Sequence, residues 1–332
     1  MVEDGTGERP DHSELGAHLA QRPDARVLIL MATYNGAQHL TEQLNSLSQQ
    51  SHRDWRLWVS DDGSSDETRN IVARYAAKQA EHGRDVRLID GPGRGGTANF
   101  LSLLEASQPA AEELWIAFSD QDDVWLPDKL ARGIAALEGI DGPALYCSRT
   151  WIADAGLTQR RLSAPRPLPP SFANALVQNI AAGNTILLNP AAAALACAAA
   201  AEAGEVVVHD WWLYQLITGA GGRVVHDDVP GLLYRQHGRN EIGANDTWRA
   251  RAKRVRQLLW GDFQDWNRLN SAALERSAHR LTPEARAMLA DFAGLGRAGL
   301  LRRLAGLRGL GLYRQSRPAQ AALWLAAVLG RL

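Results

Sequence analysis

Asp120, Asp122 and Asp123 fall within four positions in the stretch "FSDQDDVWLPDKL", residues 118–130. Carboxylates so close repel one another unless something neutralises them. In extended chain, residues i and i+2 point the same way, so Asp120 and Asp122 can face one ligand. Hard oxygen donors in that number suit a divalent cation, Mg2+ or Mn2+, and Mg2+ is commonly held by one or two carboxylates plus substrate phosphates. Asp122 is the first candidate ligand and Asp120 the second. A solvated acidic loop is the competing account, and Asp128 fits the first turn of a helix, where the dipole favours it. A further carboxylate, Asp210 in "HDWWLYQLI", stands at a helix start, where Asp is a favoured cap.

These groups need a scaffold, and the flanking pattern supplies one. "VLILMATYN" (27–35) is a buried-strand run, followed by Leu40, Leu44 and Leu47 at helical spacing. "WRLWVSDDGSSDET" repeats the plan: the strand is expected to end at Ser60, with Ser64 and Glu67 as a capping box for the next helix. "VRLIDG" (86–91) and "ELWIAFS" (113–119) are further strands, with the helical "ANFLSLLEAS" between them, and Pro127 suits the first turn of a helix carrying Leu130, Ile134 and Leu137. "ALYCSRTWI" reads as one strand, "SAPRPLPPS" (163–171) as a loop, "GNTILLNP" as a short strand, and the Ala-rich run as a helix closed by Gly204. Strands alternating with helices predict an α/β domain with a mostly parallel sheet covered on both faces. Ligands of such sheets bind beyond the carboxyl ends of the strands. The clusters "TYN" (33–35), "SDDGSSD" (60–66) and "SDQDD" (119–123) all sit at such ends.

The ordered set "MATYNG", "VSDDGSSDET", "SDQDDVWLPDKL", "GNTILLN", "HDWW" and "YRQHG" resembles the inverting family 2 glycosyltransferases of GT-A fold, and most of all their rhamnosyltransferase-like branch. The resemblance covers about residues 26–245. It implies a GT-A, Rossmann-like nucleotide-diphospho-sugar transferase domain and metal-dependent transfer of a sugar to an acceptor hydroxyl. The implied donor is a nucleoside diphosphate sugar, with dTDP-L-rhamnose indicated by the branch. Thr33 and Tyr34 match nucleotide contacts, and Asp62 with Asp61 beside it matches the position that recognises the base. Asp120 and Asp122 match the DXD element that meets ribose and metal-bound diphosphate. Asp210 aligns with the catalytic base, although His209 stands where the family often has Glu. His237 resembles a late histidine that reaches metal or diphosphate. Trp211 and Trp212 are candidate acceptor platforms or plain core. Arg94, in the Gly-rich "GPGRGGTANF", is a candidate phosphate contact or part of a simple connection.

Composition narrows the partners. The 332 residues are 45% apolar and 22% charged, so a globular core is expected. A net charge of −1 argues against a surface built for nucleic acid. Two cysteines give neither a disulfide framework nor a metal spacing. The first 25 residues read as a mobile, polar lead-in without a signal-peptide core, and the expected location is the cytoplasm. Residues 246–332 form an Arg/Leu-rich helical C-terminal appendage: "TWRARAKRVRQLLW" (247–260) has five basic residues and no acid, and seven arginines with no acid follow from Arg297. That charge reads either as a solvated face or as an in-plane helix on an anionic membrane surface, at the cytoplasmic face of the inner membrane, which suits a glycan or lipid-linked acceptor in bacterial surface polysaccharide synthesis. Two other readings compete. A sugar nucleotidyltransferase would carry a Gly-rich loop after the first strand, where this chain has "MATYNG". A non-catalytic GT-A module that only binds nucleotide sugar or glycan would release no nucleoside diphosphate from a donor.

Overall fold

The computed structural model describes residues 25–107, 114–236 and 262–332. Its centre is a seven-stranded sheet. In chain order the strands are β1 (Val27–Thr33), β2 (Trp55–Asp61), β3 (Val86–Asp90), β4 (Trp115–Ser119), β6 (Ala144–Ser148), β9 (Leu187–Leu188) and β10 (Arg223–Asp227). Across the sheet the order is β10-β6-β9-β4-β1-β2-β3, and every pairing is parallel except the two made by β9. The expected α/β architecture with a mostly parallel sheet is the one adopted.

β1 shows why. Leu28 and Leu30 join one buried cluster, Val27, Ile29 and Met31 the other, so alternate side chains fill the core on both faces. Helices α1 (Ala37–Ser48), α2 (Thr68–Ala80), α3 (Gly96–Ser107) and α4 (Lys129–Leu137) follow β1 to β3 and the β4 region in turn. The register then does the positioning. Thr33 pairs with Asp61, and Met31 with Ser119, so the three polar strand ends emerge side by side.

A second sheet has the order β5-β11-β7-β8, from β5 (Val124–Trp125), β7 (Trp151–Ala153), β8 (Arg160–Leu162) and β11 (Leu232–Arg235). The single strand expected over 144–152 is therefore two. β6 stays in the main sheet and β7 crosses to the small one, because Arg149 and Thr150 between them bond elsewhere, to Asp227 O and Ser163 Oγ. The expected capping box also does not form: α2 begins at Thr68 without a side-chain cap, because Ser64 is already committed to Asp61. Pro127 precedes α4 by two residues rather than sitting in its first turn, and Asp128 stands at the N-cap position without a side-chain cap bond.

The α5 turn (Phe172–Ala175) leads to a 3-10 turn at Gly183–Thr185, and β9 runs into α6 (Pro190–Ala203). Asn189 caps α6 by accepting from Ala192 N, and Gly204 closes it at φ 63°, as the sequence pattern expects. Helix α7 (His209–Gly219) packs against α3, α5, α6 and β10. The C-terminal helices are α8 (Asp262–Arg276), α9 (Pro283–Leu295), α10 (Leu300–Gly309) and α11 (Arg317–Leu329). Leu274, Leu289, Phe292, Leu307 and Leu323 belong to the same buried cluster as Trp212 and the Ala-rich face of α6. The C-terminal helices are thus welded to the α/β part rather than hung from it. The basic stretch 247–260 and the expected lead-in, up to residue 24, lie outside the described residues.

Candidate functional site

Two loops at the strand ends are stitched to each other. Asp61 lies beneath them with 1% of its surface exposed, accepting from Thr33 Oγ1 (3.0 Å), Ser64 Oγ (2.6 Å), Ser64 N (2.9 Å) and Arg69 (3.3 Å). Burial would raise this carboxyl, but the bonds from Ser64, Thr33 and Arg69 outweigh it and hold Asp61 below the usual carboxylate range. Asn35 adopts a left-handed conformation (φ 46°) and accepts from Ser65 N, while its own N–H donates to Ser64 Oγ. Asp66 accepts from Ala37 N. Asp62 instead faces the cleft, and its two oxygens accept from Gly93 N (2.6 Å) and Gly95 N (2.7 Å) of the Gly-rich loop.

Beyond β4 the clustered carboxylates divide. Asp120 and Asp122 line the cleft. Gln121 between them clamps the first loop: its amide accepts from Tyr34 N (2.9 Å) and donates to Tyr34 O (3.0 Å), and Tyr34 is 58% exposed at the cleft. Asp123 points the other way. It is fully buried, accepting from Asn184 Nδ2 (2.6 Å) and from Arg235 N (3.3 Å). Burial, and then the charges of Asp120 and Asp122, push its carboxyl well above the usual range. Lys129 is buried nearby, its ammonium 3.5 Å from the Trp125 ring centre; burial lowers it to about 7, against the pull of Asp123. Arg235 donates to Asp122 O (2.9 Å) and pairs with Glu42, which fixes the backbone carrying the cluster.

The same cleft is lined by Asp210, which α7 presents in its first turn. Its carboxylate accepts from Gly183 N (2.9 Å) and Trp211 N (2.6 Å). Burial pushes it up to about 6 against these bonds and that from Asn179. A carboxylate tuned there is ionised at neutral pH yet basic enough to accept a proton. Val208, not Asp210, holds the N-cap position, while Asp210 satisfies the first-turn N–H of Trp211. His209 stacks on Phe100 (centroids 4.1 Å apart), and burial lowers it to about 3, so its ring is neutral. Gly183 must be glycine here, because a Cβ would stand 2.7 Å from His209 Nε2.

Thr33, Tyr34, Asp62, Asp120, Asp122 and Asp210 thus line one cleft of about 1800 Å3. Other expected residues stand apart from it. Asp61 sits under the floor, and exposed Arg94 is outside the lining. Trp211 (6% exposed) and Trp212 (0%) are core, with Trp211 Nε1 bonded to Ala175 O, so neither offers a free ring face to a sugar. His237 lies outside the described residues. The sequence reading missed one whole wall: Arg166 of the Pro-rich loop and Arg314, Gln315, Pro318, Ala319 and Ala322 near α11. Gln315 holds the wall together, exchanging two bonds with the Leu168 backbone (2.9 and 3.0 Å). No local pattern signals this contact, which joins segments 147 residues apart.

Among the described residues, no group of three or more His, Cys, Asp or Glu side chains gathers to hold a metal ion. Two cleft carboxylates, Asp120 and Asp122, still fit a Mg2+ or Mn2+ that completes its shell with substrate phosphates.

Comparison with known proteins follows the same lines. The family described as "Glycosyl transferase family 2" matches residues 28–197. The chain is 29% identical over 238 residues to the dTDP-rhamnosyl transferase RfbG of Shigella flexneri, covering 68% of this chain and 78% of that protein. It is also 29% identical over 114 residues to WfgD of Escherichia coli, a UDP-Glc:alpha-D-GlcNAc-diphosphoundecaprenol beta-1,3-glucosyltransferase, covering 34% of this chain and 42% of that protein. Among solved structures, the mannosyltransferase PcManGT from Pyrobaculum calidifontis, in complex with GDP-Man and Mn2+, aligns with a TM-score of 0.48 at 18% identity, over 94% of this chain and 83% of that one.

Proposed function

The chain belongs to glycosyl transferase family 2, and we propose that it moves a sugar from a nucleoside diphosphate donor, dTDP-L-rhamnose, to a hydroxyl of a lipid-linked glycan acceptor in bacterial surface polysaccharide synthesis, with inversion at the anomeric carbon. The observation that carries this reading is that Asp120 and Asp122 share one cleft with Asp210, a carboxylate raised to about 6. Likeness to RfbG supports the choice of donor, and likeness to WfgD supports a diphosphate-linked lipid acceptor.

In this reading Asp62, Thr33 and Tyr34 hold the nucleoside. Asp122 and Asp120 would hold Mg2+ or Mn2+, which when bound neutralises charge on the departing diphosphate. Asp210 accepts the proton of the acceptor hydroxyl as its oxygen bonds the anomeric carbon. The bond from that carbon to the diphosphate oxygen breaks on the opposite face. One base suffices for a single displacement, and no enzyme nucleophile is required. The Gly183 and Trp211 N–H groups keep the Asp210 carboxylate in place.

The test is a thermal-shift panel of nucleoside diphosphate sugars with and without Mn2+, followed by a transfer assay on the best ligand. Ligands that bind the folded state raise its stability by an amount set by their affinity. A larger shift with dTDP-L-rhamnose than with UDP- or GDP-sugars supports the donor assignment, and equal shifts overturn it. Binding without release of nucleoside diphosphate, whatever acceptor is supplied, would favour a module that only binds.

A further inference from the structure

The helical pair α10 and α11 carries a surface of unusual composition. Nine large apolar side chains are exposed among the described residues, and five of them lie on this pair: Leu300, Leu301, Leu325, Val328 and Leu329. Leu301 is 83% exposed. Leu325, Val328 and Leu329 share one face of α11 at i, i+3 and i+4, opposite the buried Leu323, Ala326 and Ala327. The two groups are neighbours, because the end of α11 lies against a side chain from the first turn of α10: a Cβ on Gly330 would stand 2.4 Å from Arg303 Nη1. Exposed Arg297, Arg302 and Arg331 flank them, and from Arg297 onward the sequence holds seven arginines and no acidic residue.

We propose that this α10–α11 face docks in the plane of an anionic lipid bilayer. Contiguous exposed apolar side chains of this kind mark an interaction site. The surrounding charge selects the partner: apolar side chains enter the acyl boundary while arginines meet anionic headgroups. A protein partner would need an acidic, apolar counterpart, whereas an anionic bilayer offers both chemistries at once. Among the described residues no helix is long and apolar enough to cross a membrane, so the contact is with its surface. The geometry also links this face to the cleft. Pro318, Ala322, Leu325 and Leu329 follow one another at i, i+4, i+7 and i+11 along α11, with the first two lining the cleft and the last two exposed in the patch. Seven residues of helix, about 10 Å, separate Ala322 from Leu329. An acceptor with its lipid tail in the bilayer therefore has its head beside the cleft wall. This deepens the reading of a lipid-linked acceptor and rests on it for its purpose, but the membrane contact itself is independent of the donor.

The experiment is co-sedimentation of the full chain with phosphatidylcholine vesicles, with or without phosphatidylglycerol, at low and high salt. Binding is expected only with phosphatidylglycerol, weakening as salt rises. Leu301→Asp and Arg302→Glu, both at exposed positions, should each lower binding about tenfold or more while leaving the melting temperature and the donor-induced thermal shift unchanged. Equal sedimentation with neutral and anionic vesicles, or wild-type binding by both variants, overturns the proposal. So does a wild-type dimer in size-exclusion chromatography that Leu301→Asp converts to monomer, since the face would then be an interface between copies. A failure here with intact donor shifts removes the docking face and leaves the glycosyltransferase reading standing; lost donor shifts would do the reverse.

Discussion

Replacing Asp210 by Asn tests the proposed chemistry where the structure puts a number on it. Burial pushes this carboxyl up to about 6, from the 3.8 of an ordinary aspartate. A base works in its ionised form, so turnover under kcat/KM conditions should follow the ionised fraction. With a pKa of about 6, that fraction is about one tenth at pH 5 and nearly complete at pH 7.5. With an ordinary carboxylate it would already be about nine tenths at pH 5. Release of nucleoside diphosphate, measured at constant Mn2+ from pH 4.5 to 8.5, should therefore fall about tenfold between pH 7.5 and pH 5. Asp210→Asn should lower turnover by about 10²- to 10⁴-fold, the usual range for loss of a general base, and should abolish that acidic limb. Donor binding should be unchanged. Activity at pH 5 close to the plateau would refute the raised pKa as the controlling titration. An Asp210→Asn variant that keeps the limb would remove Asp210 as the base.

Three more outcomes follow from the same geometry. Asp122→Asn should abolish transfer and erase the metal-dependent part of the donor thermal shift without lowering the melting temperature of the free protein; retained transfer counts against Asp122 as a ligand. Gly183→Ala forces a Cβ against His209 Nε2 and so displaces the Asp210 contact, and kcat should fall about a hundredfold with the donor shift preserved. Asp61→Asn should destabilise the fold by about 2 kcal/mol at neutral pH, measured by urea unfolding, because a buried hydrogen-bonded carboxylate loses its charge. Since the folded-state pKa of Asp61 lies below the unfolded value, that contribution is present above about pH 4 and is lost as pH falls through the folded pKa; a cost that persists unchanged in acid would argue against it.

Much of the site was legible because strand ends in a parallel sheet converge. Thr33, Asp62 and Asp120 were placed together from the alternation alone, and the register of β1 with β2 and β4 explains why. The division among Asp120, Asp122 and Asp123 was only half visible. Alternation pairs Asp120 with Asp122, but nothing local foretells that Asn184 and Arg235 N would receive Asp123 in the interior. The Asp61–Asp62 pair misled for a related reason. At the last position of β2, Asp61 is drawn under the loops by Thr33 and Ser64, and only the next residue turns outward. For Trp211 and Trp212 the sequence left sugar platform and plain core both open, and the burial of both rings decides for core. The wall built by Arg314, Gln315 and α11 depends on contacts between segments far apart in the chain, which no local pattern encodes.

The two bonds that Asp62 receives from Gly93 and Gly95 have a thermodynamic side. Each oxygen accepts one backbone N–H, and an ionised carboxylate has about four acceptor sites, so both keep room for another donor. In the base-binding role proposed for Asp62, those two bonds set the orientation of the carboxylate in advance. A nucleobase would then meet an acceptor that has little rotational freedom left to lose, which favours affinity.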